Sequence, residues 1–257
     1  MQQGRASAAP LGAPASPQAD TPWQTVVPAS DLGASFERPA LVQLGLSTKA
    51  RVWGDASRDA LEPPPSKGWG PTERSALLSR LHHRCMFCGL ESQTAEVHNR
   101  NDNHGDLRPE NLGAADPICH RWQHLGELVK GNAMLVYLPG LSPCDASHLV
   151  RTTLVALQSS DPDKHSAARK VLNWMASHHV YVDDAWGSSD PAAFASALAR
   201  TVAEDRDRKN LALRGLALVI HPDSLRQHTT QWTRELAARH GESTWSDLHH
   251  RVTNAPI

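Results

Sequence analysis

Apolar positions along this chain change rhythm about halfway, from short strand-like runs to stripes spaced for helices. After Pro39, residues 40–46 form an apolar segment. Ser47, Thr48 and Lys49 separate it from residues 51–54, a pattern that predicts a β-hairpin. A proline-rich loop, Glu62 to Gly68, leads to Pro71, which stands where a first helical residue belongs. A helix is predicted over 71–83 with Leu77, Leu78 and Leu81 on its apolar side. Residues 95–98 read as a strand, and the turn-rich stretch 101–111 reads as the return of a second hairpin. A helix is expected over 125–129, and a strand over 134–138, closed by Pro139-Gly140.

The second half is helical in pattern. Ser142, Pro143 and Asp145 supply a cap, a first-turn proline and a carboxylate near free N–H groups, and helices fit 143–159 and 163–177. Asp190-Pro191 opens another, with Phe194, Leu198 and Val202 spaced for one face. Ser224 and Gln227 have capping-box spacing ahead of a last amphipathic helix through Trp232 and Leu236. The fold class is therefore α+β. Three parts are expected: a disordered Ala/Pro-rich leader over 1–37, a β-hairpin plus zinc module over 38–140, and a mainly helical part over 141–257 packed on it.

Composition narrows the function classes. The 257 residues carry 26 basic and 27 acidic side chains, a balance that argues against a large phosphate-neutralising surface and so against nucleic acid as a partner. No run of about 20 apolar residues exists; the most apolar tail stretch, 211–220, is short and interrupted by Arg214. The N-terminus lacks the basic start and apolar run of a secretory signal. Four cysteines are too few for a disulfide framework, and two of them lie in Cys-x-x-Cys, so a reduced, cytoplasmic, metal-holding protein is expected.

The chemistry concentrates between Arg84 and Gly131. Cys85 and Cys88 are spaced to present both sulfurs to one ion about 2.3 Å away, and Gly89 permits the tight knuckle turn. Cys119 supplies a third thiolate. Trp122 occupies the position that a second Cys-x-x-Cys would give to cysteine, so the fourth ligand is open: His124 leads, His120 is the alternative, and Asp116 suits thiolate company less well. One structural Zn2+ in a treble clef (knuckle, hairpin, helix) is the reading. A redox Cys-x-x-Cys leaves Cys119 without a role, and buried unliganded cysteines are the bland alternative. Cys144, after a helix-opening proline, reads as an ordinary packed or surface thiol.

Two resemblances follow from these motifs. Glu96-Val97-His98-Asn99, followed by Pro109-Glu110-Asn111-Leu112, resembles the HNH endonucleases. That likeness implies a water-activating histidine at the end of the first hairpin strand, an asparagine holding the turn and a metal ligand from the helix. Asn111 matches the structural asparagine. Aligned on Glu96-Val97, however, Asn99 takes the base position, and Gln123 replaces the histidine expected after the second cysteine pair. Asparagine cannot accept a proton at neutral pH, which implies a scaffold without the chemistry. A one-residue shift instead gives His98 as base and His124 as metal ligand, and an HNH-type metal-dependent DNA endonuclease is the alternative function.

Over residues 38–236 the chain resembles the IcmJ (DotN) component of type IVB secretion systems. The likeness rests on Cys85-Met86-Phe87-Cys88-Gly89, on Val97, Asn99 and Asn101 before 107–112, and on Met134-Leu135-Val136-Tyr137-Leu138-Pro139. It continues through Gly187-Ser188-Ser189-Asp190-Pro191-Ala192-Ala193-Phe194 and from Pro222 to Trp232. It implies a non-catalytic, HNH-like zinc protein with Cys85, Cys88 and Cys119 as ligands. It also implies partners: a coupling ATPase of the DotL type and other coupling-complex subunits. The expected place is cytoplasmic, peripheral to the inner membrane through the complex, with no membrane insertion of its own. Trp122 stands where that family has its fourth cysteine. Trp174, Trp186 and Trp232 are the expected partner anchors.

Overall fold

The computed structural model describes residues 40–47, 70–101, 106–128, 130–200, 208 and 211–239. The leader 1–37 and the second arm of the first expected hairpin, 51–54, lie outside the described residues. Its first arm is not a strand. Residues 40–47 instead run alongside the metal-binding region: Val42 N–H donates to Met86 O at 2.8 Å, and Ser47 N–H donates to Trp122 O at 2.8 Å.

Helix α1 covers Pro71–Arg80, with Pro71 at its first position and Leu77 buried. It stops short of residue 83 because His82 and His83 turn into the left-handed region, at φ 53° and 50°. Strands β1 (Glu96–Asn99) and β2 (Leu112–Ala115) then form an antiparallel hairpin, with Glu96 opposite Ala115 and His98 opposite Gly113. Helix α2 covers Pro117–Gln123, so the helix expected over 125–129 lies earlier than its pattern suggested. The reason is local: Asp116 caps it by accepting from Ile118 N–H at 2.9 Å, and Pro117 fills the first position. Residues 125–127 form only a 3-10 turn.

The same device, a capping Ser or Asp before a first-turn proline, begins α3 (Pro143–Ala156), α4 (Pro162–Ser177) and α6 (Pro191–Leu198). Between them α5 (His179–Trp186) ends at Gly187, which takes the left-handed conformation at φ 77°. Strand β3 (Ala133–Tyr137) pairs antiparallel with β4 (Leu216–Ile220), Ala133 opposite Ile220 and Tyr137 opposite Leu216. A 3-10 turn over Pro222–Leu225 then leads into α7 (Arg226–Arg239).

The architecture is α+β with two small two-stranded sheets. Among the described residues an apolar cluster runs from Leu44 and Phe87 through Trp122 and Leu135 to Val150, Leu218 and Trp232. Helix α3 is its spine, packed against α2, α4, β4 and α7. Among the described residues, no helix is long and apolar enough to cross a membrane.

Candidate metal centre

The knuckle is built from backbone bonds. Cys85 N–H donates to Leu90 O at 2.7 Å, and Gly89 N–H returns to Cys85 O at 2.9 Å. Gly89 sits at φ 75°, where a side chain is strained. Met86 N–H donates to Ala114 O at 2.8 Å, which anchors the knuckle to β2. The neighbouring Gly113 leaves room for the Met86 side chain, whose Sδ would lie 2.5 Å from a Cβ there.

Opposite the knuckle, α2 presents Cys119. Cys85, Cys88 and Cys119 are buried, and their sulfurs lie within 4.8 Å of one another. A tetrahedral ion about 2.3 Å from each sulfur asks for separations of about 3.8 Å, so small rotamer adjustments close the site. The donor set fits a thiophilic ion such as Zn2+. Hydrogen bonds from Cys119 and Cys88 hold the Cys85 thiol far below its usual range. The partner bonds to Cys85 and Cys88, with burial, push Cys119 far above it. Binding a divalent cation here would displace the thiol protons.

Helix α3 closes the back of this group. Arg151 donates to Asp116 Oδ1 at 2.6 Å with both side chains buried, and reaches Cys88 Sγ at 3.8 Å. It also donates to His148 Nδ1 at 2.8 Å, while His148 Nε2–H donates to Cys88 O at 3.2 Å. The guanidinium lies 5.4 Å from the centre of the Trp232 ring. The other Asp116 oxygen is buried with no hydrogen-bond partner among the described residues, and Asp116 N–H bonds to Cys85. Cys144 donates to Phe87 O at 3.3 Å and stays outside the group, as an ordinary packed thiol.

Neither expected fourth ligand joins the cysteines. His120 and His124 gather instead with His98, again with ligand atoms within 4.8 Å of one another. Helix geometry explains this correction. Successive helical residues diverge by about 100°, so His120 leaves the side that carries Cys119, and His124, the residue that ends α2, brings its ring to 4.6 Å from that of His120. Trp122 falls back on the cysteine side, and at 1% exposure its indole is core. The histidine rings meet edge to face, with centroids 5.2 Å (His98–His120), 5.7 Å (His98–His124) and 4.6 Å (His120–His124) apart.

The hairpin supplies the other wall of this second group. Side chains two apart on a strand share a face, so Glu96 and His98 both reach α2. Glu96 Oε2 lies 2.6 Å from His120 Nδ1, and its Oε1 lies 3.6 Å from His228 Nε2 on α7. Burial alone would raise the Glu96 carboxyl, but the bonds from His120 and His228 hold it well below the usual carboxylate range. Asn99 faces the turn instead, donating to Asp106 O at 3.1 Å. Asn111 donates to the same carbonyl at 2.8 Å and accepts from Asn101 N–H at 3.0 Å, which fastens the hairpin end.

Sequence reasoning missed Glu96, Arg151 and the pairing of His98 with His120. The i,i+2 pair Glu96/His98 and the i,i+4 pair His120/His124 were the readable signals. No protein-family model matches the chain, and no curated protein is significantly similar to it.

Proposed function

We propose that this chain is a zinc-stabilised scaffold subunit that holds a partner protein, in keeping with its resemblance to the IcmJ (DotN) components of type IVB secretion coupling complexes. The observation that carries the reading is the burial of Cys85 and Cys119, both at 0% exposure, inside the continuous core. An ion there would touch no substrate; it would join the knuckle, through Cys85 and Cys88, to α2, through Cys119, which supports a treble-clef reading. The partner would be a segment of a DotL-type coupling ATPase, and the place peripheral to the inner membrane.

A surface suited to that partner lies on α4 and α5. Trp174, Tyr181 and Trp186 are about half exposed. The His178 ring stands 5.0 Å from Trp174 and 5.7 Å from Tyr181. Exposed aromatics of this kind are common interface anchors. Trp232, expected as a third anchor, is core instead: it is 3% exposed and donates to Thr94 Oγ1 at 2.7 Å. Co-purification with the ATPase's C-terminal region tests the reading. Capture that is lost in Trp174→Ala/Trp186→Ala supports it; no capture where other complex members associate removes it.

A metal-dependent nuclease is the second reading, favoured by the gathering of His98, His120 and His124 where hairpin meets helix. It ranks second because Asn99, at the base position of the HNH pattern, is committed to the turn. Plasmid cleavage with Mg2+ or Mn2+ that disappears in His98→Ala would put it first.

A further inference from the structure

Resting on the zinc reading above, we propose that Asp116 is the fourth ligand of the cysteine site, its Oδ2 completing a tetrahedron of three thiolates and one carboxylate. Trp122, His120 and His124 leave that corner without a protein ligand. The spacing is that of the knuckle itself: Asp116-Pro117-Ile118-Cys119 repeats Cys85-Met86-Phe87-Cys88, with two residues between ligands. The local hydrogen bonds match as well. Cys88 N–H donates to Cys85 Sγ at 3.5 Å, and Ile118 N–H donates to Asp116 Oδ1 at 2.9 Å. In each pair the first side chain is fixed by an N–H from the turn that follows it.

The second argument is burial. Asp116 is 1% exposed, yet its Oδ2 has no hydrogen-bond partner among the described residues. A bare, buried carboxylate oxygen is costly, and in native folds such an atom commonly marks the place of an ion or a water. Carboxylate oxygen is an ordinary zinc ligand, at about 2.0–2.2 Å. The two oxygens of Asp116 divide the work. Oδ1 accepts from Ile118 and, at 2.6 Å, from Arg151, which leaves Oδ2 for the ion. Carboxylates that bind metals are commonly held in this way by hydrogen bonds from behind.

Asp116 is already tied to the sulfurs. Its backbone N–H bonds to Cys85, and the Arg151 Nη2 that touches Oδ1 lies 3.8 Å from Cys88 Sγ. It also opens α2, the helix that carries Cys119. The carboxylate stands outside the 4.8 Å sulfur group, so binding requires a change of its side-chain torsion toward the thiols. Three thiolates and a carboxylate around Zn2+ leave a net negative charge, and the buried Arg151 guanidinium offsets part of it.

The test is metal affinity and spectrum on the full chain, with Co2+ reporting the cysteine site through its intense thiolate-to-cobalt absorption. Asp116→Asn keeps the cap of α2 and removes the anionic ligand. Its dissociation constant for the thiolate-bound ion, from chelator competition, should rise about 100-fold or more, since even partners beyond the ligands are worth about 10–100-fold. Asp116→Cys separates ligation from support, because cysteine can bind the ion but neither caps α2 well nor pairs with Arg151. It should recover the affinity that Asp116→Asn loses and add thiolate-to-cobalt absorption. X-ray absorption of wild type at one zinc per chain needs no variant. It should show three sulfurs and one oxygen, without the outer scattering of an imidazole ring. Undiminished affinity in Asp116→Asn, an Asp116→Cys no tighter than Asp116→Asn, or an imidazole signal in wild type would overturn the proposal and leave the zinc reading in place. A wild type that binds no metal would overturn both.

Discussion

Two consecutive residues of α2 serve two chemically opposite groups. Cys119 turns toward buried thiols, whereas His120 turns toward imidazoles at a partly open edge. The surrounding charge follows the ligand type. Three thiolates with a divalent ion carry net negative charge, and the buried neighbour is cationic Arg151. Three neutral imidazoles with a divalent ion carry net positive charge, and the neighbour is anionic Glu96. Arg151 is shared with the Asp116 carboxylate, and Glu96 offsets one of the two positive charges an ion would bring to the imidazoles, so each outer residue reduces what the inner set leaves over. The thiol group is enclosed in the core, whereas the imidazole group keeps a partly exposed edge at His120.

The largest difference should appear on removing one ligand from each. Cys119→Ser breaks a group that lies in the core and would tie the knuckle to α2, so folding itself is at stake. Structural zinc sites contribute about 10–16 kcal/mol of apparent binding energy in small modules, and losing even part of that exceeds the stability of most domains. The expected outcome is loss of the cooperative thermal transition together with the thiolate–cobalt band. His120→Ala should keep both. Equal melting temperatures for the two variants would erase the distinction between a structural and an exchangeable group.

Next in size is the outer charge of the cysteine group. Arg151→Met leaves the Asp116 carboxylate buried and uncompensated beside sulfur, a loss of about 3–5 kcal/mol for a broken buried pair. Urea unfolding measures this. A variant within about 1 kcal/mol of wild type would mean that Arg151 acts only as packing against Trp232.

Much of this fold was legible, and its failures share one cause. The Pro-plus-cap starts of α3, α4 and α6 and the strand β3 were readable because their signals are local. Strand β4 was not, since residues 216–220 are apolar throughout and their partner β3 precedes all of α3 to α6. Helix α5 was missed because its start follows α4 at once, with no capping side chain. At the site, Cys85, Cys88 and Cys119 announced themselves by type and spacing. The grouping of His120 and His124 with His98 did not, because spacing along the chain does not show that His120 leaves the side of α2 that carries Cys119. Arg151 and Glu96 are visible only once α3 and β1 are brought against α2.

Smaller effects should follow from Glu96→Gln, which keeps shape but removes the charge facing His120. Loss of such an outer carboxylate typically weakens metal binding about 10–100-fold, so an ion held by His98, His120 and His124 should dissociate at lower chelator concentrations. The thiolate–cobalt band should not move. Arg151→Met should do the reverse, disturbing that band while sparing the histidine ion, and a chelator titration followed by both signals separates the two.

The smallest expected effect is on stability against pH, in protein carrying only its thiolate-bound ion. The folded state holds the Glu96 carboxyl below its ordinary value, against burial, through His120 and His228. A depressed carboxyl stabilises the fold above its unfolded value of about 4.3 and loses that contribution as pH falls through the folded value. Wild type should therefore be more stable than Glu96→Gln near pH 5.5, with the gap narrowing steadily below about pH 4. Its size is modest because the side chain is 35% exposed and solvent screens its partners. A gap that stays constant from pH 5.5 to the acid limit would mean that Glu96 contributes shape and hydrogen bonding alone. The carboxylate would then be no charge partner for an ion at His120, and the symmetry between Arg151 and Glu96 would fail on the histidine side.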